Sequence, residues 1–141
     1  MYEEKVAVMT SGCLISVKGF EATGGFRDEL FIDEVDNEYC MHIRRLGMKV
    51  VIINSVLLAH RLGEKRKIRF LGLFRKEYID HAPFRFYYMT RNILYLNYLY
   101  PEYRPFNNKR LRKMLKRIVL YDQQHKWAAL RMCWRGFRDV S

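Results

Sequence analysis

Apolar positions fall in short clusters along the first part of the chain and in helical stripes along the last. Residues 6–9 and 13–17 are brief apolar runs separated by Thr10-Ser11-Gly12, which predicts one interrupted strand or two short ones. Gly24-Gly25 punctuates the chain before Phe26. Val35, Tyr39, Ile43 and Leu46 then recur every three or four residues, which predicts a helix over 33–46 with Asp33 as its N-cap and Gly47 as its C′ stop. Residues 49–53 and 56–59 are β-branched and apolar, as buried strands are. Beyond His60 the pattern changes. Residues 61–69 read as a polar, basic connector, and from about residue 80 onward the remainder reads as helical. Residues 84–100 are rich in Phe and Tyr, and Pro101 and Pro105 are expected to break that helix. Over 109–121 the stripe Leu111, Met114, Leu115, Ile118 and Val119 faces away from six Lys and Arg residues. A last helix over 123–134 would hold Trp127, Leu130 and Trp134 on one side. The head is therefore expected to be mixed α/β and the tail helical.

Charge follows the same division. The 141 residues carry a formal net charge of +11. Residues 1–60 hold six Lys/Arg and nine Asp/Glu, whereas residues 61–141 hold twenty Lys/Arg and six Asp/Glu. An acidic head joined to a basic tail suggests two tasks in one chain. Half the residues are hydrophobic and 15% are aromatic, which excludes a disordered tail. Cys13, Cys40 and Cys133 are scattered and odd in number, against a disulfide framework and in favour of a reducing compartment. Glu3 and Glu4 stand where a signal peptide would be basic. The nearly uncharged run 50–60 is about half of what a membrane span needs.

The densest chemistry is Asp33-Glu34-Val35-Asp36-Asn37-Glu38. Acids in a first helical turn are favoured by the helix dipole and need no further purpose. A carboxylate at a helix N-terminus facing a cleft could equally take a proton from a substrate hydroxyl. His60 ends an apolar run and is either structural or a metal ligand; no HExxH, Cys/His quartet or phosphate-cradling glycine loop accompanies it. The basic 109–121 stretch fits a solvated face, an anionic membrane surface or a nucleic acid. No recognised nucleic-acid motif is present, which argues against the last.

The order of these pieces is more specific than any one of them. Thr10-Ser11-Gly12-Cys13-Leu14-Ile15-Ser16 precedes Thr23-Gly24-Gly25-Phe26, then Phe31-Ile32-Asp33-Glu34-Val35-Asp36-Asn37-Glu38-Tyr39-Cys40, then Ile43-Arg44-Arg45-Leu46-Gly47-Met48-Lys49-Val50 and His60-Arg61-Leu62-Gly63. That series resembles the acceptor-side half of family 2 glycosyltransferases of GT-A fold, in particular rhamnosyltransferase-like members. Phe86-Tyr87-Tyr88-Met89-Thr90-Arg91-Asn92 and Gly136-Phe137-Arg138-Asp139 look like the helical extension of that subgroup.

The resemblance implies an α/β chain made of the C-terminal, acceptor-side half of a GT-A nucleotide-diphospho-sugar transferase over 1–62, followed by a basic, aromatic-rich helical extension over 63–141. It implies inverting transfer of a hexose or deoxyhexose, with rhamnose suggested by the subgroup, from a nucleoside diphosphate donor to a surface glycan or lipid-linked acceptor in polysaccharide biosynthesis. Thr10, Ser11 and Gly12 would lie under the donor, and Asp36 would be the general base. Asp33 and Glu38 would orient the acceptor, and His60 would help hold a divalent cation, Mg or Mn. The family's nucleotide-binding half and most of its metal ligands have no counterpart in this sequence, so the 141-residue chain alone is expected to be inactive. A cytoplasmic enzyme, peripheral at the inner face of the plasma membrane through its basic helices, would follow. The alternative is a non-catalytic basic module that binds a membrane surface or nucleic acid.

Overall fold

A computed structural model of the chain describes residues 1–59, 65–70, 74–79, 81–121 and 125–140. It forms two compact units, Met1–His60 and Arg61–Ser141.

In the first unit, β1 (Tyr2–Glu4) pairs antiparallel with β2 (Val51–Ile53), with Glu3 opposite Ile52. Helices α1 (Val17–Thr23) and α2 (Val35–Arg45) lie between them in sequence. The expected strand over 13–17 is not formed. Ser16 instead caps α1, its hydroxyl accepting from the Gly19 N–H at 3.3 Å, and a satisfied cap outweighs the β preference of Val17. Residues 6–9 and 56–59 carry no strand either. The strand that does form over 49–53 is short, and Val51, Ile52 and Ile53 are exposed rather than buried. A two-stranded sheet lacks the neighbours that would cover both of its faces.

Helix α2 begins two residues later than expected. Its N-cap is Glu34, in the left-handed region, and not Asp33. Its other end follows the sequence closely. Gly47 N–H bonds to Arg44 C=O and Met48 N–H to Ile43 C=O, the double bond of a Schellman motif, with Gly47 at φ 81° where a Cβ would be strained. Asp36 and Glu38 in the first turn and Arg44 and Arg45 in the last complement the helix dipole. Arg44 also ties the helix to β1 through Glu4 Oε1 at 2.7 Å and Lys5 C=O at 3.0 Å.

The second unit opens with a hairpin, β3 (Lys65–Phe70) against β4 (Phe74–Ile79), where the sequence suggested a connector. Pairing supplied by a partner strand is invisible to local composition. Three helices follow: α3 (Pro83–Leu99), α4 (Arg104–Tyr121) and α5 (Lys126–Arg138). Pro105 does not break α4 but lies in its first turn, where an N–H has no intrahelical partner to lose. Phe86, Met114, Ile118, Ala129 and Cys133 form the buried core, with Leu111, Leu115 and Leu130 packed around it. Val119, expected in the apolar stripe, is exposed.

The side of α5 that carries Trp127, Leu130 and Trp134 is divided, for Leu130 packs against the core and the two tryptophans do not. Ala129, Cys133 and Gly136 face inward, while Trp127 and Trp134 are 81% and 62% exposed. Close approach decides this. A Cβ on Gly136 would stand 2.5 Å from the Tyr87 carbonyl oxygen and 3.1 Å from the Arg91 nitrogen, so only the small-residue side can meet the α3 backbone. The Tyr87 hydroxyl then donates to Asp139 Oδ2 at 2.7 Å and fastens the end of α5. Among the described residues, no helix is long and apolar enough to cross a membrane.

Candidate functional site

Strained backbone leads into the acidic helix. Phe31, Asp33 and Glu34 all have positive φ, between 59° and 68°. At Phe31 (φ 59°, ψ −63°) the chain makes a γ-turn, closed by Ile32 N–H to Leu30 C=O at 2.7 Å. Side chains larger than glycine in these wells cost of the order of 1–3 kcal/mol each and persist only where surrounding contacts impose them. Here the restraints are visible. Leu30 is 1% exposed, and Glu34 is buried with its Oε2 accepting from Asn37 Nδ2 at 3.0 Å. The strained turn delivers Asp33 and Asp36, both partly exposed, to the start of α2. Asp36 Oδ1 accepts the Asn37 N–H at 2.9 Å, which fixes the carboxylate against the first turn.

The segment 8–13 lies beside this helix end. Thr10-Ser11-Gly12 forms a tight turn closed by Cys13 N–H to Thr10 C=O at 3.0 Å, with Gly12 at φ 75° and Thr10 and Ser11 exposed. The Cys40 thiol, one turn beyond Asp36 on α2, points at the Val8 carbonyl at 3.9 Å, and the Cys13 thiol donates to the Met9 carbonyl at 2.7 Å. Both thiols are held above their usual pKa, first by burial and then by the negative charge of Asp36. Asp36 is therefore close enough to the Thr10–Cys13 turn for its charge to be felt there. The structure brings together two pieces that the sequence separates by more than twenty residues.

Glu38 stands apart from them. It is 0% exposed, with Oε1 accepting from Arg27 Nε at 2.7 Å and lying 3.9 Å from His42 Nδ1. Its carboxylate, expected to orient the acceptor, is enclosed at this placement. Glu38 instead anchors Arg27, and with it the turn that follows Gly24-Gly25. Phe20, Phe26 and Tyr39 pack there as a ring cluster, with centroids 5.1 to 6.2 Å apart. Arg27 went unnoticed in the sequence, although it is the sole Lys or Arg between Lys18 and Arg44.

His60 lies outside the described residues. Among the described residues no three His, Cys, Asp or Glu side chains are placed to hold a metal ion, so Asp33, Asp36 and Glu38 do not make a cation site by themselves.

Comparison with known proteins adds one relative. The dTDP-rhamnosyl transferase RfbF of Shigella flexneri is 35% identical over 88 residues, 62% of this chain. The chain is in part similar to a glycosyltransferase. The match spans only 28% of the relative's length. No family model and no solved structure matches.

Proposed function

We propose that the chain is the acceptor-side portion of an inverting family 2 glycosyltransferase of GT-A fold that transfers a deoxyhexose, rhamnose, from a dTDP-sugar to a glycan or lipid-linked acceptor. The carrying observation is the approach of α2, which bears Asp36 in its first turn, to the segment that leads into the Thr10–Cys13 turn, where the Cys40 thiol lies 3.9 Å from the Val8 carbonyl. The relative named as a dTDP-rhamnosyl transferase supports the sugar and the nucleotide.

In this reading Asp36 accepts the proton of an acceptor hydroxyl as that oxygen attacks the anomeric carbon. The bond from that carbon to the nucleoside diphosphate breaks, and the leaving group carries the electron pair away. The Asn37 N–H, bonded to Asp36 Oδ1 at 2.9 Å, holds the base in place against the first turn of α2. The exposed Thr10 and Ser11 line the donor side, and Asp33 orients the acceptor. A divalent cation, when bound, would neutralise the departing diphosphate; its ligands would come from outside the described residues, His60 among the candidates.

The test is a chimera that joins the chain to the remaining portion of the Shigella flexneri relative, assayed with dTDP-rhamnose. The chimera is expected to turn over the donor, and Asp36→Asn to lower kcat by about 10²–10⁴-fold with donor binding kept. A fully active Asp36→Asn chimera would remove Asp36 as the base.

A further inference from the structure

The outward side of α5 is the feature that neither the core of the second unit nor the proposed transfer uses. Trp127, Arg131, Trp134 and Arg138 follow at i, i+4, i+7 and i+11 and all are exposed, with Phe137 and Arg135 beside them. Trp127 and Trp134 are two turns, about 10 Å, apart along the axis. The helix cannot roll to hide them, because Gly136 is seated against the α3 backbone and Asp139 is held by Tyr87.

Rings this exposed, alternating with arginines, need a surface that takes both. Helices α4 and α5 together carry eleven Lys and Arg residues and no Asp or Glu. Lys109, Arg112, Lys113 and Lys116 of α4 are exposed as well. We infer that the Trp127–Arg131–Trp134–Phe137 face of α5 docks on an anionic lipid bilayer, the rings entering the headgroup region and the arginines meeting lipid phosphates. Tryptophan suits that depth, with an apolar body and one polar N–H. Interfacial helices combine an apolar side with Lys and Arg in this way.

Two other occupants fit less well. A single-stranded nucleic acid would stack its bases on open ring faces, yet Trp134 and Phe137 turn their faces on each other, with centroids 5.9 Å apart and planes within 16°. A second copy of the chain would bring Arg131, Arg135 and Arg138 against their own like charges.

The inference is tested on the 141-residue chain with vesicles of mixed phosphatidylcholine and phosphatidylglycerol, and with phosphatidylcholine alone. Binding to the mixed vesicles is expected, weakening as salt rises, with tryptophan emission shifted to the blue and quenched by brominated acyl chains. Arg131→Ala is expected to lower partitioning about fivefold, the loss of one cation near the surface. The double change Trp134→Ser and Phe137→Ser should lower it about tenfold, with an unchanged circular dichroism spectrum because both rings are exposed. Absence of quenching in the unaltered protein overturns the inference. So does an oligonucleotide that binds more tightly than the mixed vesicles, or a dimer that the double change dissolves.

Discussion

Arg27 and Glu38 show how one ion pair can decide whether the acidic helix is held in place. The Glu38 carboxylate is entirely buried, and Arg27, about a third exposed, reaches it from eleven residues away at 2.7 Å. Removing the arginine takes the 2.7 Å partner from a buried charge, a loss of about 3–5 kcal/mol where a pair is fully enclosed. Because water already reaches part of Arg27, about 2 kcal/mol is expected for Arg27→Ala. Glu38→Gln should be milder, about 1 kcal/mol, since the amide oxygen can still accept from Nε. Urea unfolding of the two variants checks both the sizes and their order. A larger loss for Glu38→Gln would mean that the carboxylate is stabilised mainly by something other than Arg27. At this scale the acidic cluster was visible in the sequence, but the division of labour within it was not. Asp36 and Glu38 are two residues apart in α2 and therefore lie on opposite sides of it, about 200° apart around the axis; the strained turn at Phe31, Asp33 and Glu34 leads into that helix. Nothing in the letters of that turn announces positive φ, because none of the three is glycine.

Elements were legible where their signals are local and obscure where a partner supplies them. Gly47 marked the end of α2 correctly because a Schellman motif needs only its own chain. The β3–β4 hairpin and the loss of strand at 56–59 depend on pairing, which composition does not carry. Helix α5 is the clearest case. The pattern grouped Trp127, Leu130 and Trp134 on one side; Leu130 packs on the core, but both tryptophans stay exposed and the helix meets α3 through its smallest residues, because it approaches α3 to within the reach of one methyl group. Gly136→Ala tests that account. The new Cβ would stand 2.5 Å from a backbone oxygen that cannot rotate away, so α5 must lift from α3 and loosen Ala129 and Cys133 in the core. Overpacking of this kind costs about 1–3 kcal/mol, from which the better helix propensity of alanine, about 1 kcal/mol, must be subtracted. A net loss of about 1 kcal/mol, the middle of the remaining range, is expected in thermal unfolding. A stabilised variant would mean that the two helices are farther apart in solution.

For the whole molecule, the unburied apolar surface of the first unit matters most. Leu14, Val56 and Leu57 are 70% exposed or more, and Met9 and Leu58 lie more than half in solvent nearby in sequence. These residues belong to the apolar runs that the sequence read as strands, and their composition is that of a core although most of their surface is open in this unit. Soluble chains seldom leave contiguous apolar surface open unless something binds there. In the proposed enzyme that something is the nucleotide-binding portion, to which the greater part of the relative's length has no counterpart here. Two measurements follow from the same side chains. The 141-residue chain is expected to enhance the fluorescence of an apolar dye such as ANS under native conditions, and the triple change Leu14→Ser, Val56→Ser and Leu57→Ser to abolish most of that signal. Unfolding free energy should stay within about 0.5 kcal/mol of the unaltered chain, because side chains with so little buried area have little burial to lose. A loss of several kcal/mol would mean that these residues are packed in solution and that the first unit is already complete. An unchanged stability with a quenched dye signal would make them an interface, and the chimera with the relative should then bury them and lose the dye in turn.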